Sequence, residues 1–237
     1  MKEKLYAIPV NDAFIEDCEC PICLMLKTLE ANAIEFTMGP SYMEDDIRAV
    51  TDEVGFCKHH LKGLMENQNR LGLALILKTH MDKTIHDLEL LSPDKVKAPA
   101  SLFKKKQESS TVVSYIKKLE SSCFICNKIN ATFERYIATI FSLYQNDDSV
   151  RKKFLTSKGF CTSHYGLLYE EAGKYLNGKL SEQFIKELND LYFHNMKRVK
   201  DDLEWFIDKF DYRNTNEPWK NSKDALPRAM VKTNSLF

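Results

Sequence analysis

The chain carries the words Cys20-Pro21-Ile22-Cys23 and Gly55-Phe56-Cys57-Lys58-His59-His60. It then writes both again, in the same order, as Cys123-Phe124-Ile125-Cys126 and Gly159-Phe160-Cys161-Thr162-Ser163-His164. The two CxxC words are offset by 103 residues and the two Gly-Phe-Cys-x-x-His words by 104. One inserted residue in more than a hundred reads as an internal duplication. The repeat also separates the two histidines that follow Cys57: only His60 has a counterpart, His164, so His59 reads as a bystander. Cys18 has none, because Ser121 stands at the equivalent position, and it reads as a spare thiol or an alternative ligand.

A CxxC turn brings two sulfurs to one side of a bend, and Cys-x-x-His at a helix start places its two side chains on one face. Two such half-sites make a tetrahedral set, and thiolate with imidazole is the donor set that zinc prefers. Taken in chain order, the first expected site is Cys20, Cys23, Cys57 and His60, and the second is Cys123, Cys126, Cys161 and His164. Two zinc ions are therefore expected, with iron–sulfur clusters as the alternative because their ligand types overlap. Thioredoxin-like chemistry finds no βαβ pattern around either CxxC, and a c-type haem would need a histidine directly after the second cysteine. His80, His86 and His194 fall in helical patterns and read as packed or solvated side chains.

Around these words the apolar spacing is helical. Leu24, Leu26, Leu29, Ile34 and Phe36 run without a break to Gly39-Pro40. Ile129, Phe133, Tyr136, Ile137, Ile140, Phe141 and Tyr144 run to Asn146-Asp147-Asp148, where an aspartate can cap the next helix. Ser181 reads as another N-cap, ahead of an apolar face from Phe184 to Phe210. The segment Leu71–Leu91 is apolar more uniformly, which predicts burial on all sides at a repeat interface or in a dimer. No strand alternation competes. The expected fold is all-α: two tandem helical repeats at 1–97 and 113–212, a polar linker at 98–112, and an irregular strap at 213–237.

Composition bounds the function. Thirty-four Lys and Arg balance thirty-four Asp and Glu, so no overall field gathers nucleic acid or an anionic membrane. The N-terminus lacks the apolar stretch of a signal peptide, and the longest apolar run, from Leu71, stops at Lys78, short of a membrane span. A cytoplasmic location follows as the expectation, and there seven cysteines point to metal or redox chemistry more than to a disulfide framework.

The paired words and the tail, Arg213-Asn214 through Pro218-Trp219 to Ser222-Lys-Asp-Ala-Leu-Pro-Arg228, together resemble an uncharacterised bacterial family of similar length. The resemblance spans essentially the whole chain and implies an ordered tail, with Arg213, Trp219 and Arg228 as candidate ligand-contacting or surface residues. Phe124 departs from the family's CPxC form, while the ligands themselves are intact. Some members carry an automatic label as an ABC-transporter substrate-binding component, which the missing export signal argues against; no phosphate-binding loop of a transporter ATPase occurs either. The leading expectation is a zinc-binding helical scaffold that binds an unidentified protein or small molecule. An iron–sulfur or metal-dependent redox protein or enzyme is the alternative, and a nucleic-acid-binding zinc protein the third. No nucleophile–base, paired-carboxylate or HExxH motif assigns a catalytic residue.

Overall fold

The computed structural model describes residues 3–92 and 110–235. Within them the chain is all-α. Eleven helices follow in order: α1 (Glu3–Ala13), α2 (Pro21–Met38), α3 (Asp45–Val54), α4 (Lys58–Glu66), α5 (Arg70–Leu91), α6 (Thr111–Glu120), α7 (Phe124–Asn146), α8 (Asp148–Thr156), α9 (Thr162–Tyr175), α10 (Gly178–Asp208) and α11 (Ala225–Asn234). Short 3-10 turns lie at Pro40–Met43 and Tyr212–Asn214.

Local chemistry sets these boundaries. Helix α2 stops one residue before Gly39-Pro40, where proline has no N–H to continue the ladder. Asp147 caps α8 by accepting from the Ser149 and Val150 amides, as the Asn-Asp-Asp turn predicts. Ser181 is not the cap of α10. The helix begins three residues earlier at Gly178, whose φ of 55° is open to glycine, so Ser181 lies inside the first turns.

The helices gather into two compact units, one assembled from two separate stretches of chain and one contiguous. One is 1–28 with 132–237; the other is 29–131. The boundaries fall inside α2 and α7, and so do not coincide with the tandem division at 97 and 113. Most of the expected linker, including its Lys104–Lys106 run, lies outside the described residues, and its last two residues, Thr111 and Val112, already open α6.

In the first unit the core is aromatic. Phe154 packs against Phe160 (5.4 Å), Phe184 (5.4 Å) and Phe14 (5.9 Å), and Tyr144 meets Phe184 edge-on at 4.8 Å. Helix α10 buries Phe184, Leu188, Leu191, Tyr192 and Val199 against it. That face does not stay buried to its end: Ile207 and Phe210 are exposed. The tail returns along α10. Its last part is not irregular but forms α11, which packs on α9 and α10.

In the second unit α3 lies along α5 through a polar seam. Arg48 Nη2 donates to Thr79 Oγ1 (2.9 Å), and Thr79 in turn donates to Asp52 (2.6 Å). Helix α5 is not buried on all sides. Leu73 and Ile76 are buried, whereas Leu71, Met81, Ile85 and Leu90 are exposed, because the packed elements cover one stripe of a helix that is apolar around its circumference.

Gly55 and Gly159 sit before the Phe-Cys-x-x-His turns with φ of 59° and 76°. At Gly55 a Cβ would lie 2.7 Å from the His80 ring, and that ring is held by a 2.8 Å hydrogen bond to the Asp52 carbonyl. His80 is thus a packed histidine, as its helical setting suggests. Gly55→Ala should cost about 1–3 kcal/mol, since φ and ψ of 59° and −150° belong to glycine. Chemical denaturation checks this: adding His80→Ala should relieve only the steric share, and an undiminished midpoint in Gly55→Ala would refute the account.

Candidate metal centres

Each of the four metal-type words stands at a helix start. Cys20 and Cys123 immediately precede α2 and α7, and Cys57 and Cys161 are the N-cap residues of α4 and α9. The second ligand of every word, Cys23, Cys126, His60 or His164, falls three residues later in the first turn. Residues at N-cap and three beyond meet on one side of a helix end, as in a capping box. The x-x spacing is therefore the spacing of that turn, and the helix dipole places positive potential where thiolates would sit.

The residues between ligands serve the same turns. Pro21 takes the first helical position of α2, where its missing N–H is not needed. Phe124 replaces that proline at the start of α7 and is buried, packing on Phe56 with ring centres 6.3 Å apart. Phe160 is fully buried on Phe14 and Phe154. The Gly-Phe pair thus turns the chain and delivers the cysteine to the helix start, with Phe160 fully buried and Phe56 half-buried.

The eight residues do come together, but crosswise. Cys20 and Cys23 meet Cys161 and His164, while Cys57 and His60 meet Cys123 and Cys126. The chain-order sets are corrected accordingly: the CxxC word at 20–23 faces the Cys-x-x-His word at 161–164, and the one at 123–126 faces the word at 57–60. The physical reason lies in the packing of the units, since 1–28 belongs with 132–237 and 29–131 stands by itself. Each group lies wholly within one unit.

In the first group His164 Nδ1 lies 3.4 Å from Cys20 Sγ, 3.2 Å from Cys23 Sγ and 3.1 Å from Cys161 Sγ, and Cys23 and Cys161 are 3.6 Å apart. In the second, His60 Nδ1 lies 3.2 Å from Cys57, 3.4 Å from Cys123 and 3.3 Å from Cys126, with Cys57 and Cys126 at 3.9 Å. One ring nitrogen can make one hydrogen bond, so three sulfurs at similar range are not explained by hydrogen bonding. They match instead the edges, about 3.5 to 3.8 Å, of a tetrahedron whose ligands stand at zinc distances from one centre. Both groups could hold a metal ion.

Three thiols this close ionise together only around a cation. Hydrogen bonds from Cys20 and Cys23 hold Cys161 far below the ordinary thiol range, and burial with hydrogen bonding to Cys123 pushes Cys126 up to about 12. Burial lowers His164, but its contacts with Cys161 and Cys20 outweigh this and bring it to about 9. Burial lowers His60, against the pull of Glu30.

The surroundings of the two groups differ. All four residues of the first are buried, while Cys57 and Cys126 of the second are half-exposed. Behind the first group, Glu19 Oε2 accepts from Arg198 Nη2 at 2.6 Å and faces Lys232 Nζ at 3.2 Å. Lys232 is fully buried and donates to the Glu19 carbonyl at 2.7 Å and the Lys158 carbonyl at 2.5 Å. Ser235 Oγ lies 3.0 Å from Cys161 Sγ, so α11 ends on the group itself. Behind the second group stands Glu30, 3.3 Å from His60 Nε2 and 2.6 Å from His59 Nε2. His59 is outside the tetrad but joins a third group, with Glu30 and His60.

Glu19, Glu30, Arg198, Lys232 and Ser235 carry no motif, and spacing alone does not find them. Cys18 belongs to neither group: it is half-buried, and burial pushes its thiol up to about 11. Of the expected tail residues, Arg213 is exposed and clasps Asp211, and Trp219 packs on Phe206 at 6.0 Å. Arg228 pairs with Asp202 at 2.8 Å.

The chain matches a family along residues 1–237, and that family is described as DUF6062, a family of unknown function. The chain belongs to that family. No curated protein and no solved structure matches it. No described helix is long and apolar enough to cross a membrane.

The crosswise grouping makes a distinctive prediction for metal content. Cys20→Ser with Cys161→Ser should disable one group and leave half the wild-type metal per chain, whereas Cys20→Ser with Cys57→Ser should disable both. Elemental analysis of the two double variants checks this, and the reverse pattern would restore the chain-order sets.

Proposed function

We propose that the protein is a helical scaffold clipped by two structural zinc ions, one held by Cys20, Cys23, Cys161 and His164 and the other by Cys57, His60, Cys123 and Cys126. The observation that carries this reading is the convergence of three sulfurs on one histidine nitrogen, twice, within 3.4 Å. Four protein donors satisfy a tetrahedral ion and leave no position for a substrate, which is the form of a structural site. Spacing of this kind suits a single ion; bridging sulfides in a multi-iron cluster would spread the cysteines further apart. That supports zinc over the iron–sulfur alternative.

What a bound ion contributes is crosslinking. Cys23 and Cys161 are 138 positions apart in the chain. By loop-closure arithmetic, a crosslink across that length removes about 5 kcal/mol of unfolded-chain entropy. Three thiolates and a divalent ion leave one net negative charge, and Glu19 adds a second. Arg198 and Lys232 supply the two balancing positive charges from within hydrogen-bonding range of Glu19. The buried lysine of the tail thus neutralises the first site. At the second site Glu30 Oε1 stands 3.3 Å from His60 Nε2, the carboxylate–histidine arrangement that orients an imidazole whose other nitrogen faces a metal.

Elemental analysis and a visible spectrum of protein purified without oxygen test the reading. Two colourless zinc ions per chain are expected, and iron with a sulfur-to-iron absorption band would overturn it. Chelation should proceed in two phases, because the second site has half-exposed cysteines and the first is closed. The fast phase should disappear in Cys57→Ser and persist in Cys161→Ser. A single phase in the wild-type protein would refute the asymmetry.

A further inference from the structure

The first unit holds a cavity of about 730 Å³ that the metal sites do not use, lined by the end of α8, one face of α10 and the tail turn before α11. Its volume is within the range of small-molecule sites. Five cationic side chains stand on its wall, Lys158, Arg198, Lys220, Lys223 and Arg228, against two aspartates, Asp202 and Asp224.

Three of the five cations are already matched. Lys158 pairs with Asp17, Arg198 with Glu19, and Arg228 with both Asp202 and Asp224. Lys220 and Lys223 have no carboxylate partner among the described residues. Lys220 Nζ instead rests 3.8 Å from the centre of the Trp205 ring, which positions a cation without neutralising it.

The turn that presents these lysines is built. Lys209 is buried, and its Nζ donates to three tail carbonyls, Asn214 at 2.5 Å, Thr215 at 3.0 Å and Glu217 at 2.5 Å. Trp205 Nε1 donates to the Pro218 carbonyl at 3.0 Å. Arg228 reaches back to the Asn221 carbonyl. Lys220 itself adopts φ of 52°, a left-handed backbone that L residues disfavour and glycine accepts freely. A lysine stands where glycine would fit the backbone better, and it lines the cavity.

We infer that this cavity binds a small dianion of the phosphate-monoester type, held by Lys220 and Lys223, the two wall cations without a carboxylate partner among the described residues. Two free lysines match a phosphate monoester, which carries about −1.5 to −2 at neutral pH, better than a single carboxylate. The apolar wall of Leu155 and Leu191 offers contact area for an organic substituent. This inference is independent of the identity of the metal ions.

The test uses full-length, metal-loaded protein and inorganic phosphate as the probe, by equilibrium dialysis, with metal content measured on the same samples. Saturable binding at one site per chain is expected. Lys220→Gly and Lys223→Ala should each weaken it about tenfold, the scale of one lost charge-assisted contact. Lys220→Gly should melt at or above the wild-type temperature, because glycine relieves the left-handed backbone. The inference is overturned by an absence of saturable binding, or by binding that neither substitution changes. Malonate binding as tightly as phosphate would overturn the choice of phosphate, and tighter, salt-sensitive binding of a single-stranded oligonucleotide would overturn a small-molecule ligand.

Discussion

Everything in this molecule that looks like a functional word depends on one constraint, the first turn of a helix. A cysteine at the N-cap and a ligand three residues later occupy one side of a helix end, where backbone N–H groups point outward and the dipole is positive. Four helix starts use this device, and the two groups are two pairs of helix starts brought nose to nose. The remaining residues of each word support that geometry: a positive-φ glycine to turn the chain, a phenylalanine to anchor it, and a proline or a buried phenylalanine at the first helical position.

The tail belongs to the same logic. A buried lysine is costly unless its charge and its hydrogens are satisfied. Lys232 meets both conditions between Glu19, Lys158 and the first group, and it can do so only if α11 lies where it does. A second buried lysine, Lys209, gathers the carbonyls of the turn that precedes α11. The tail is thus ordered by two cations turned inward. A pattern search for apolar periodicity does not register such residues, which is why this stretch reads as irregular in sequence and yet ends in a helix.

The same contrast governs what could be read in advance. The all-α class, the stops at Gly39-Pro40 and Asn146-Asp147, and the eight ligand-type residues follow from local rules: helical spacing, capping chemistry and the CxxC and Cys-x-x-His words. The pairing of the words does not. Nothing local distinguishes Cys57 from Cys161 as the partner of Cys20, because both stand at the same position of the same turn; which helix starts meet is decided by packing among Phe14, Phe154, Phe160 and Phe184, residues far apart in the chain. Helix α5 misleads for a related reason. Its composition promises burial all round, but burial depends on what other elements cover, and they cover one stripe.

Crosswise pairing has a consequence that tandem pairing would lack. In a chain-order arrangement each copy would close its own site and could evolve, or be lost, alone. Here one group needs the outer two of the four helix starts, those of α2 and α9, and the other needs the inner two, those of α4 and α7. Each group takes one CxxC word and one Cys-x-x-His word from different parts of the chain, so loss of any one word opens one group and leaves the other word's side chains without their partners. That mutual dependence ties the two sets of words together without requiring that both groups do the same job. It leaves the surroundings free to diverge: the first group is closed by Lys232 and Ser235, whereas the second, with Glu30 and the exposed His59 at its edge, is the one that solvent can reach.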